Sequence, residues 1–138
     1  MQVQACLFFD GRCEEAIEFY RRTLGAEVSQ MIRYKDSPGG CPAHITPAME
    51  DKIMHVSFRI GETHLMAGDG KVNNKPEFKG ITLAIDTTSD AETRRLFDAL
   101  GEGGSVEMAL EKTFWASLFG GVKDRFGVSW FVMTAAQK

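Results

Sequence analysis

The chain has 138 residues, of which 43% are hydrophobic and 25% charged, and its formal net charge is −3. This composition is ordinary for a globular protein of one domain or two small halves that share a core. No basic run accompanies the negative charge, no basic segment precedes the apolar N-terminus, and no apolar run could span a bilayer; we therefore expect no nucleic acid partner, signal peptide or membrane anchor. The three cysteines, Cys6, Cys13 and Cys41, form no C-x-x-C pair, which favours reduced thiols in a cytoplasmic protein over a disulfide framework.

The first half of the chain predicts one helix and four strands. An apolar segment ends at Asp10-Gly11, and apolar residues then recur at near-helical spacing until Gly25, which stands where a helix C-cap is expected. Segment 35–51 is polar and rich in Gly and Pro, and loops of this length are usually functional lids or disordered. The predicted elements are a strand at 3–9, a helix at 12–24, and strands at 27–34, 53–60 and 63–67.

A polar linker at 70–77 precedes a second series of elements. Ser89 and Glu92 have the spacing of a capping box, in which each side chain binds a free backbone N–H group at the start of a helix. The predicted elements are a strand at 80–85, a helix that runs from 89 to 100, a strand at 105–111, and a hairpin with strands at 115–119 and 128–133.

The hairpin contains both tryptophans of the protein. Asp124 and Gly127 suit the first and fourth positions of a type I turn, because Asp can bond its own backbone and Gly tolerates positive φ. Its strands are apolar at nearly every residue, which predicts that both faces are covered, one by the body of the protein and one by a helix, a partner chain or a ligand.

The order of elements indicates an internal duplication. Asp10, Leu24 and Gly25 precede Asp86, Leu100 and Gly101 by 76 positions each, whereas Gly61 precedes Gly127 by 66. The long loop 35–51, which has no counterpart in the second half, accounts for the difference. The sequence therefore predicts a first module at 1–69 and a second at 78–138, each a strand, a helix and three strands, although chance agreement of so few residues stays an alternative.

Several segments resemble a known superfamily. Segment 10–27 resembles the first strand-to-helix step of the vicinal-oxygen-chelate superfamily, which includes glyoxalase I, bleomycin-resistance proteins and extradiol dioxygenases. Thr113-Phe-Trp-Ala, Asp124-Arg-Phe-Gly-Val-Ser-Trp and His55-Val-Ser-Phe-Arg-Ile resemble its PhnB-like group, often labelled 3-demethylubiquinone-9 3-methyltransferase. The resemblance covers essentially the whole chain. It implies an α+β fold of two tandem βαβββ modules, a cupped mixed sheet around a pocket and commonly a homodimer, but no settled activity.

The sequence argues against two of the chemistries that these names suggest. Metal enzymes of the superfamily use four His, Glu or Gln ligands on the first and last strands of each module, and the corresponding positions here are Gln4, Leu65, Gly80 and Phe131. Only Gln4 offers a donor, so we predict no metal and no other cofactor. The Gly-rich segment 101–104 follows a helix and precedes a strand, the reverse of a nucleotide-binding turn, so S-adenosylmethionine-dependent methyl transfer is not expected.

Other polar residues leave alternatives open. His55 starts an apolar strand and is either an acid–base group or a structural histidine bonded to the backbone. His44 and His64 read as loop or surface histidines, and Cys6 as an inert thiol rather than a nucleophile. Glu107 and Glu111 lie on one face of the predicted 105–111 strand, opposite its apolar residues. They form either a solvated face or an acid–base pair.

Aromatic and sulfur-containing side chains are the stronger candidates for a binding site. Small-molecule pockets are mostly apolar with few polar groups, although a plain core or a dimer seam would use the same residues. The predicted ligand-binding residues are Phe8, Met66, Met108, Trp115, Phe119 and Trp130. We therefore expect a cytoplasmic, homodimeric protein that binds a small aromatic or amphipathic molecule. The alternatives are a metal-independent isomerase, lyase or transferase that uses His55 or a glutamate, a metal-dependent glyoxalase or dioxygenase, and a protein whose pocket is vestigial.

Overall fold

The computed structural model describes residues 1–39, 45–70, 73 and 75–135. The chain divides into two compact units, Met1–Pro76 and Glu77–Lys138. Each unit contains a four-stranded mixed sheet and one α-helix in the order βαβββ, which confirms the predicted α+β class. The predicted linker 70–77 and loop 35–51 lie partly outside the described residues. Cys41 and His44 also lie outside them. The predicted module bounds, 1–69 and 78–138, stay a prediction.

The first unit follows the predicted order closely. Its α-helix and strands are β1 (Cys6–Phe8), α1 (Cys13–Leu24), β2 (Glu27–Arg33), β3 (Ile53–Ile60) and β4 (Thr63–Gly68). Two short 3₁₀ helices, Tyr34–Asp36 and Pro47–Met49, lie between β2 and β3. The strand order is β1-β4-β3-β2, in which β1 runs parallel to β4 and the other pairs are antiparallel. β1 is shorter than predicted, because residues 1–5 are exposed and outside any strand.

The ends of α1 are fixed by two different devices. At the C-terminus, Gly25 adopts the left-handed conformation with φ of 67°, as a C-cap glycine does. At the N-terminus, Arg12 provides no side-chain cap. The carboxylate of Asp69, which is buried at the end of β4, accepts hydrogen bonds from the backbone N–H groups of Gly11 (2.7 Å) and Cys13 (3.0 Å) instead. The helix start is therefore held by a residue distant in sequence.

The second unit repeats this architecture. Its elements are β5 (Thr82–Thr87), α2 (Asp90–Gly101), β6 (Ser105–Glu111), β7 (Ala116–Lys123) and β8 (Ser129–Ala135), with strand order β5-β8-β7-β6. Ser89 caps α2 as predicted, since its hydroxyl accepts the Glu92 N–H at 3.2 Å. The other half of the capping box is absent, because the Glu92 carboxylate binds Arg95.

The hairpin of β7 and β8 forms around the predicted turn. The Gly127 N–H donates to the Asp124 carbonyl at 3.0 Å, and one carboxylate oxygen of Asp124 accepts the N–H groups of Phe126 and Val128. β7 continues past the predicted end at residue 119 and includes Gly120 and Gly121. A Cβ on Gly120 would lie 2.8 Å from the Phe97 ring of α2, so the helix packs where a side chain would otherwise stand.

The duplication holds for the order of elements but not residue by residue. Gly25 is the C-cap of α1, whereas Gly101 is the last residue of α2 and Glu102 follows as its cap. Asp10 comes after β1 ends, whereas Asp86 lies within β5. Two of the pairs that share the spacing of 76 positions therefore differ by a few residues in their place relative to the element ends.

Candidate binding faces and their chemistry

In the second unit, one face of the sheet is covered by α2. Thr93 of α2 bonds the hydroxyls of Thr87 in β5 (2.7 Å) and Thr134 in β8 (2.6 Å), so these two residues point toward the helix. Because side chains alternate along a strand, their neighbours Asp86 and Met133 point to the opposite side. We call that side the second open face.

The strand register arranges the second open face into three rows that cross all four strands. The first row contains Asp86, Met133, Phe119 and Glu111. The second row contains Ala84, Phe131, Gly121 and Met108. The third row contains Thr82, Ser129, Lys123 and Ser105. The first row therefore has an apolar centre between two carboxylates. The second row is apolar, and the third row is polar with one cation.

Four aromatic rings form a continuous run on this unit. The ring centroids of Phe114 and Trp115 are 4.8 Å apart, those of Trp115 and Phe119 are 5.5 Å apart, and those of Phe119 and Phe131 are 5.0 Å apart. The first two contacts are edge-to-face, a favourable geometry for aromatic pairs. Two neighbouring rings contact Trp115, yet the residue is 49% exposed. Part of its surface is therefore accessible. Met108, also half-exposed, lies in the row beside this run.

Trp130 lies on the other side of the same sheet. It pairs with Val122, which packs near the end of α2, and it is only 3% exposed. Its indole N–H donates to Asp124 at 2.9 Å. The structure therefore separates Trp130 from Trp115 and Phe119, with which the sequence grouped it, and gives it a packing contact with the turn.

Phe131 takes the position on the aromatic run that the sequence analysis gave to Trp130. Adjacent residues of a strand point to opposite faces, and hydrophobicity alone does not show which of two neighbouring aromatics faces the helix. The residue that decides between the two aromatics is Thr134, whose hydroxyl bonds Thr93 of α2. Because side chains alternate along β8, Trp130 then faces the helix and Phe131 faces away from it.

The first unit has a corresponding open face with different chemistry. Its buried face carries residues such as Val56, Phe58 and Leu65. The other face holds Cys6, Met66, Ser57 and Gln30 in one cross-strand row. Phe8 and His55 lie on the same side by strand alternation, so three of the predicted site residues, Phe8, Met66 and His55, share what we call the first open face.

His55 makes a specific side-chain contact on the first open face. Its Nε2 atom lies 2.9 Å from the Ser57 hydroxyl, and both residues are half-buried. The two side chains are therefore hydrogen-bonded, and the tautomer of His55 decides which of them donates. His64 lies on the same face in β4, opposite Arg59, and is exposed, as predicted.

The positions considered for metal ligands do not converge on one point within a unit. Gln4 is exposed and its amide donates to Gln2, Leu65 is buried on the opposite side of β4 from Met66, and Phe131 belongs to the aromatic run. Within residues 1–39, 45–70, 73 and 75–135, no three His, Cys, Asp or Glu side chains form a group that could hold a metal ion. The metal-free site stays a prediction.

A charged cavity beside α1 was not predicted from the sequence. It has a volume of about 630 Å³ and is lined by Gly11, Glu14, Glu15, Glu18, Arg33, Lys35, Asp51, Lys52, Ile53 and Asp69. Its cations are engaged: Arg33 binds Glu14, Lys35 binds Asp51 at 2.7 Å, and Lys52 donates to the Gly11 carbonyl at 2.9 Å. The bond from Arg33 lowers the pKa of Glu14, and the bond from Lys35 lowers the pKa of Asp51.

The two described cysteines differ in accessibility. Cys13 is buried in α1, and burial together with the nearby Asp69 raises the pKa of its thiol. Cys6 is exposed on the first open face, and partial burial also raises the pKa of its thiol. A raised pKa reduces the thiolate fraction at neutral pH, which suits the predicted inert role better than a nucleophilic one.

Two features bear on methyl transfer and on membrane association. The Gly-rich segment leads from Gly101 at the end of α2 into β6 at Ser105, as predicted, so it is not the strand-to-helix turn of a nucleotide-binding fold. Among the described residues, no helix combines the length and apolar content needed to cross a bilayer.

The paired βαβββ units define a protein of the glyoxalase-like fold class. A glyoxylase/bleomycin resistance protein/dioxygenase domain from Frankia sp. EAN1pec superposes with a TM-score of 0.67 over 98% of this chain and 95% of that domain. At 10% identity this likeness shows the fold alone.

More similar proteins identify the family. The chain is 36% identical to Protein YjdN of Escherichia coli (strain K12), over 100% of this chain and 98% of that protein. It is 40% identical to protein PA1353 of Pseudomonas aeruginosa, with a TM-score of 0.85 and 99% of both chains covered, and 26% identical to a PhnB protein from Bacillus cereus, with a TM-score of 0.79 over 98% and 100% of the two chains. The family model described as 3-demethylubiquinone-9 3-methyltransferase matches residues 1–133, and the chain belongs to this family, within the predicted PhnB-like group.

Proposed function

We propose that this protein binds a small aromatic or amphipathic molecule on the second open face, against the aromatic run. The observation that carries this proposal is the half-exposed ring of Trp115, held edge-on between Phe114 and Phe119. A large aromatic ring fixed by its neighbours offers an apolar surface at low cost in conformational entropy.

The neighbouring residues support a binding face rather than a plain core. Met108 lies on the same side and is half-exposed, and Gly121 leaves the centre of the second row without a side chain. Methionine adapts its shape to different partners. The apolar second row therefore provides a flexible wall beside the rings, and the ring of Phe131 lies over Gly121.

Ligand binding is tested through the fluorescence and thermal stability of purified protein. A ligand that stacks on Trp115 changes tryptophan emission and raises Tm. Trp115→Ala is expected to raise Kd by about five- to thirtyfold, because lost aromatic stacking and burial amount to about 1–2 kcal/mol. The matched control is Val106→Ser, since Val106 is an exposed apolar residue that pairs with Val122 on the helix side of the same sheet. Equal loss of affinity in both variants would contradict the proposed location.

A second candidate function rests on the contact between His55 and Ser57. The family's glyoxalase-like fold hosts enzymes as well as binding proteins, and the 2.9 Å contact with Ser57 would orient the His55 ring for a metal-independent acid–base step. The test incubates EDTA-treated protein with each molecule that raises Tm and follows conversion by mass spectrometry. His55→Ala is expected to abolish conversion while binding persists, and His64→Ala, a change of an exposed histidine on the same face, is expected to leave conversion intact. Undiminished conversion in His55→Ala would exclude this role.

Two further predictions concern the assembly and location of the protein. The homodimer that the resemblance implies would be detected by light scattering on purified protein at several concentrations. The cytoplasmic location, expected from the reduced cysteines, would be tested by fractionation of cells that produce the full chain.

A further inference from the structure

We infer that the second open face selects ligands that carry a positive charge next to an apolar body. This inference rests on the proposed function, because it assigns a chemical class to the ligand of the same face. Its basis is the first cross-strand row, in which Phe119 and Met133 lie between two carboxylates, Asp86 and Glu111.

The orientation of both carboxylates follows from contacts on the helix side. Thr87, next to Asp86, bonds Thr93 of α2, so Asp86 points to the open face. Leu110, next to Glu111, lies 2.8 Å from the place where a Cβ of Gly120 would stand, beside Phe97 of α2. Glu111 therefore points to the same face as Phe119, with which it pairs.

Neither carboxylate is neutralised within its unit. Across the part of the chain that the structure describes, Asp86 and Glu111 take part in no salt bridge. Both residues are exposed, and the cation of the same face, Lys123, lies in the third row. Since successive rows are about 7 Å apart along a strand, Lys123 is about 13 Å from the first row. Among the described residues, the first row thus carries two carboxylates that no salt bridge engages.

The aromatic run lies where it adds to the attraction of these carboxylates for a cation. The face of an aromatic ring attracts cations, most strongly for Trp. Phe119 is one strand from Glu111, about 5 Å, and two strands from Asp86, about 10 Å. A cation placed at the exposed ring of Trp115 beside Phe119 would therefore interact with Glu111 more strongly than with Asp86. The apolar body would extend over Phe131 and Met108 in the second row.

Three probes that share one apolar body test this inference: phenylbutylamine, phenylbutanol and phenylbutyrate. Affinities are measured by Trp fluorescence and calorimetry at low ionic strength. We expect the amine to bind about tenfold more tightly than the alcohol, from one cation–π contact and one exposed ion pair, and the carboxylate to bind most weakly. The preference for the amine should shrink as salt is added, because exposed charges are screened.

Charge-neutralising variants separate the contributions. Glu111→Gln should reduce the preference for the amine to about two- to fivefold, the part that the cation–π contact supplies, while the affinity for the alcohol stays unchanged. Asp86→Asn should have a smaller effect in the same direction. Lys123→Gln is the matched control and should leave the preference for the amine in place, because Lys123 lies two rows away.

The outcomes distinguish this inference from the function on which it rests. Equal binding of amine and alcohol, both weakened by Trp115→Ala, would overturn the charge preference and leave the proposed binding face standing. A preference for the amine that stays about tenfold in the Glu111→Gln, Asp86→Asn double variant would overturn the assignment to these carboxylates. Failure of all three probes to bind would overturn the inference together with the proposed binding of aromatic amphiphiles.

Discussion

The carboxylate of Asp69 offers the most direct test of how the first unit holds together. It is 1% exposed and accepts three backbone hydrogen bonds, from Gly11 at 2.7 Å and Cys13 at 3.0 Å on one oxygen and from Ile53 at 3.0 Å on the other. The three donors belong to the start of α1 and the start of β3. One side chain at the end of β4 therefore joins three elements.

The informative substitution is Asp69→Asn, which keeps the size of the side chain. The amide oxygen can still accept from Gly11 and Cys13, but the amide NH₂ group then meets the Ile53 N–H, donor against donor. Leaving that buried N–H unpaired costs about 1–3 kcal/mol, and replacing a charged acceptor by a neutral one weakens each remaining bond by about 1 kcal/mol. The expected loss is about 3–5 kcal/mol. Asp69→Ala would remove all three bonds and approach the whole stability of a small domain, about 5–15 kcal/mol.

Urea unfolding measures this loss, with Asp98→Asn as the control for changing an exposed aspartate on α2. With a slope of about 1.5 kcal/mol per molar urea, Asp69→Asn should lower the midpoint by about 2–3 M, whereas the control should move it little. Amide exchange should show lost protection first at Gly11, Cys13 and Ile53. A midpoint for Asp69→Asn that matches the control would refute the argument that this carboxylate joins the three elements.

Two further predictions concern a glycine and an ion pair. A Cβ on Gly104 would lie 2.0 Å from the backbone carbonyl oxygen of Lys123, so Gly104→Ala should destabilise the protein by at least about 2–3 kcal/mol in urea unfolding. For Glu14, the hydrogen bond from Arg33 lowers the pKa in the folded state; its stabilisation is therefore present above the unfolded pKa and is lost as pH falls through the folded one. Glu14→Gln should cost less than about 1 kcal/mol at pH 7, since the pair is solvent-screened, and the cost should shrink as pH falls below the ordinary Glu pKa of about 4.3 and through the lower folded one.

Controls make both predictions specific. Gly25→Ala places a Cβ in open space at a φ of 67°, so it should cost about 1–2 kcal/mol from backbone strain alone, less than Gly104→Ala. The opposite order would contradict the steric reason given for Gly104. For the ion pair, the loss of unfolding free energy in Glu14→Gln is compared at acid and neutral pH. An equal loss at both pH values would show that the ion pair with Arg33 does not cause it.

The order of elements was predictable from the sequence because each signal is local. Gly25 ends α1, Ser89 starts α2, and Asp124 bonds the turn of the hairpin through its own neighbours in sequence. The start of α1 was not predictable in the same way, because its capping group is Asp69, 56 residues beyond Cys13. Sequence patterns report contacts within a few residues, and a cap supplied by a distant carboxylate leaves no such pattern.

The candidate binding face was only partly predictable for a related reason. Simple alternation along β6 places Glu111 on the side opposite Met108, but the register shift between them brings both to the open face. A β-bulge adds a residue to one strand, so every later side chain of that strand points to the sheet face opposite the one that simple alternation predicts. The carboxylate beside the aromatic run is therefore a product of the bulge, and hydrophobic periodicity cannot reveal it.

The two units share an element order while their open faces carry different chemistry. The first presents a thiol, a histidine and hydroxyl groups in Cys6, His55 and Ser57, whereas the second presents aromatic rings flanked by carboxylates. The proposals made above assign ligand binding to the second unit and any acid–base step to the first. Ligand binding and any turnover should then respond to different substitutions. Trp115→Ala should weaken ligand binding, whereas His55→Ala should abolish turnover and leave ligand binding intact. If both variants lost binding equally, the division of tasks between the units would be wrong, although each unit would keep its fold.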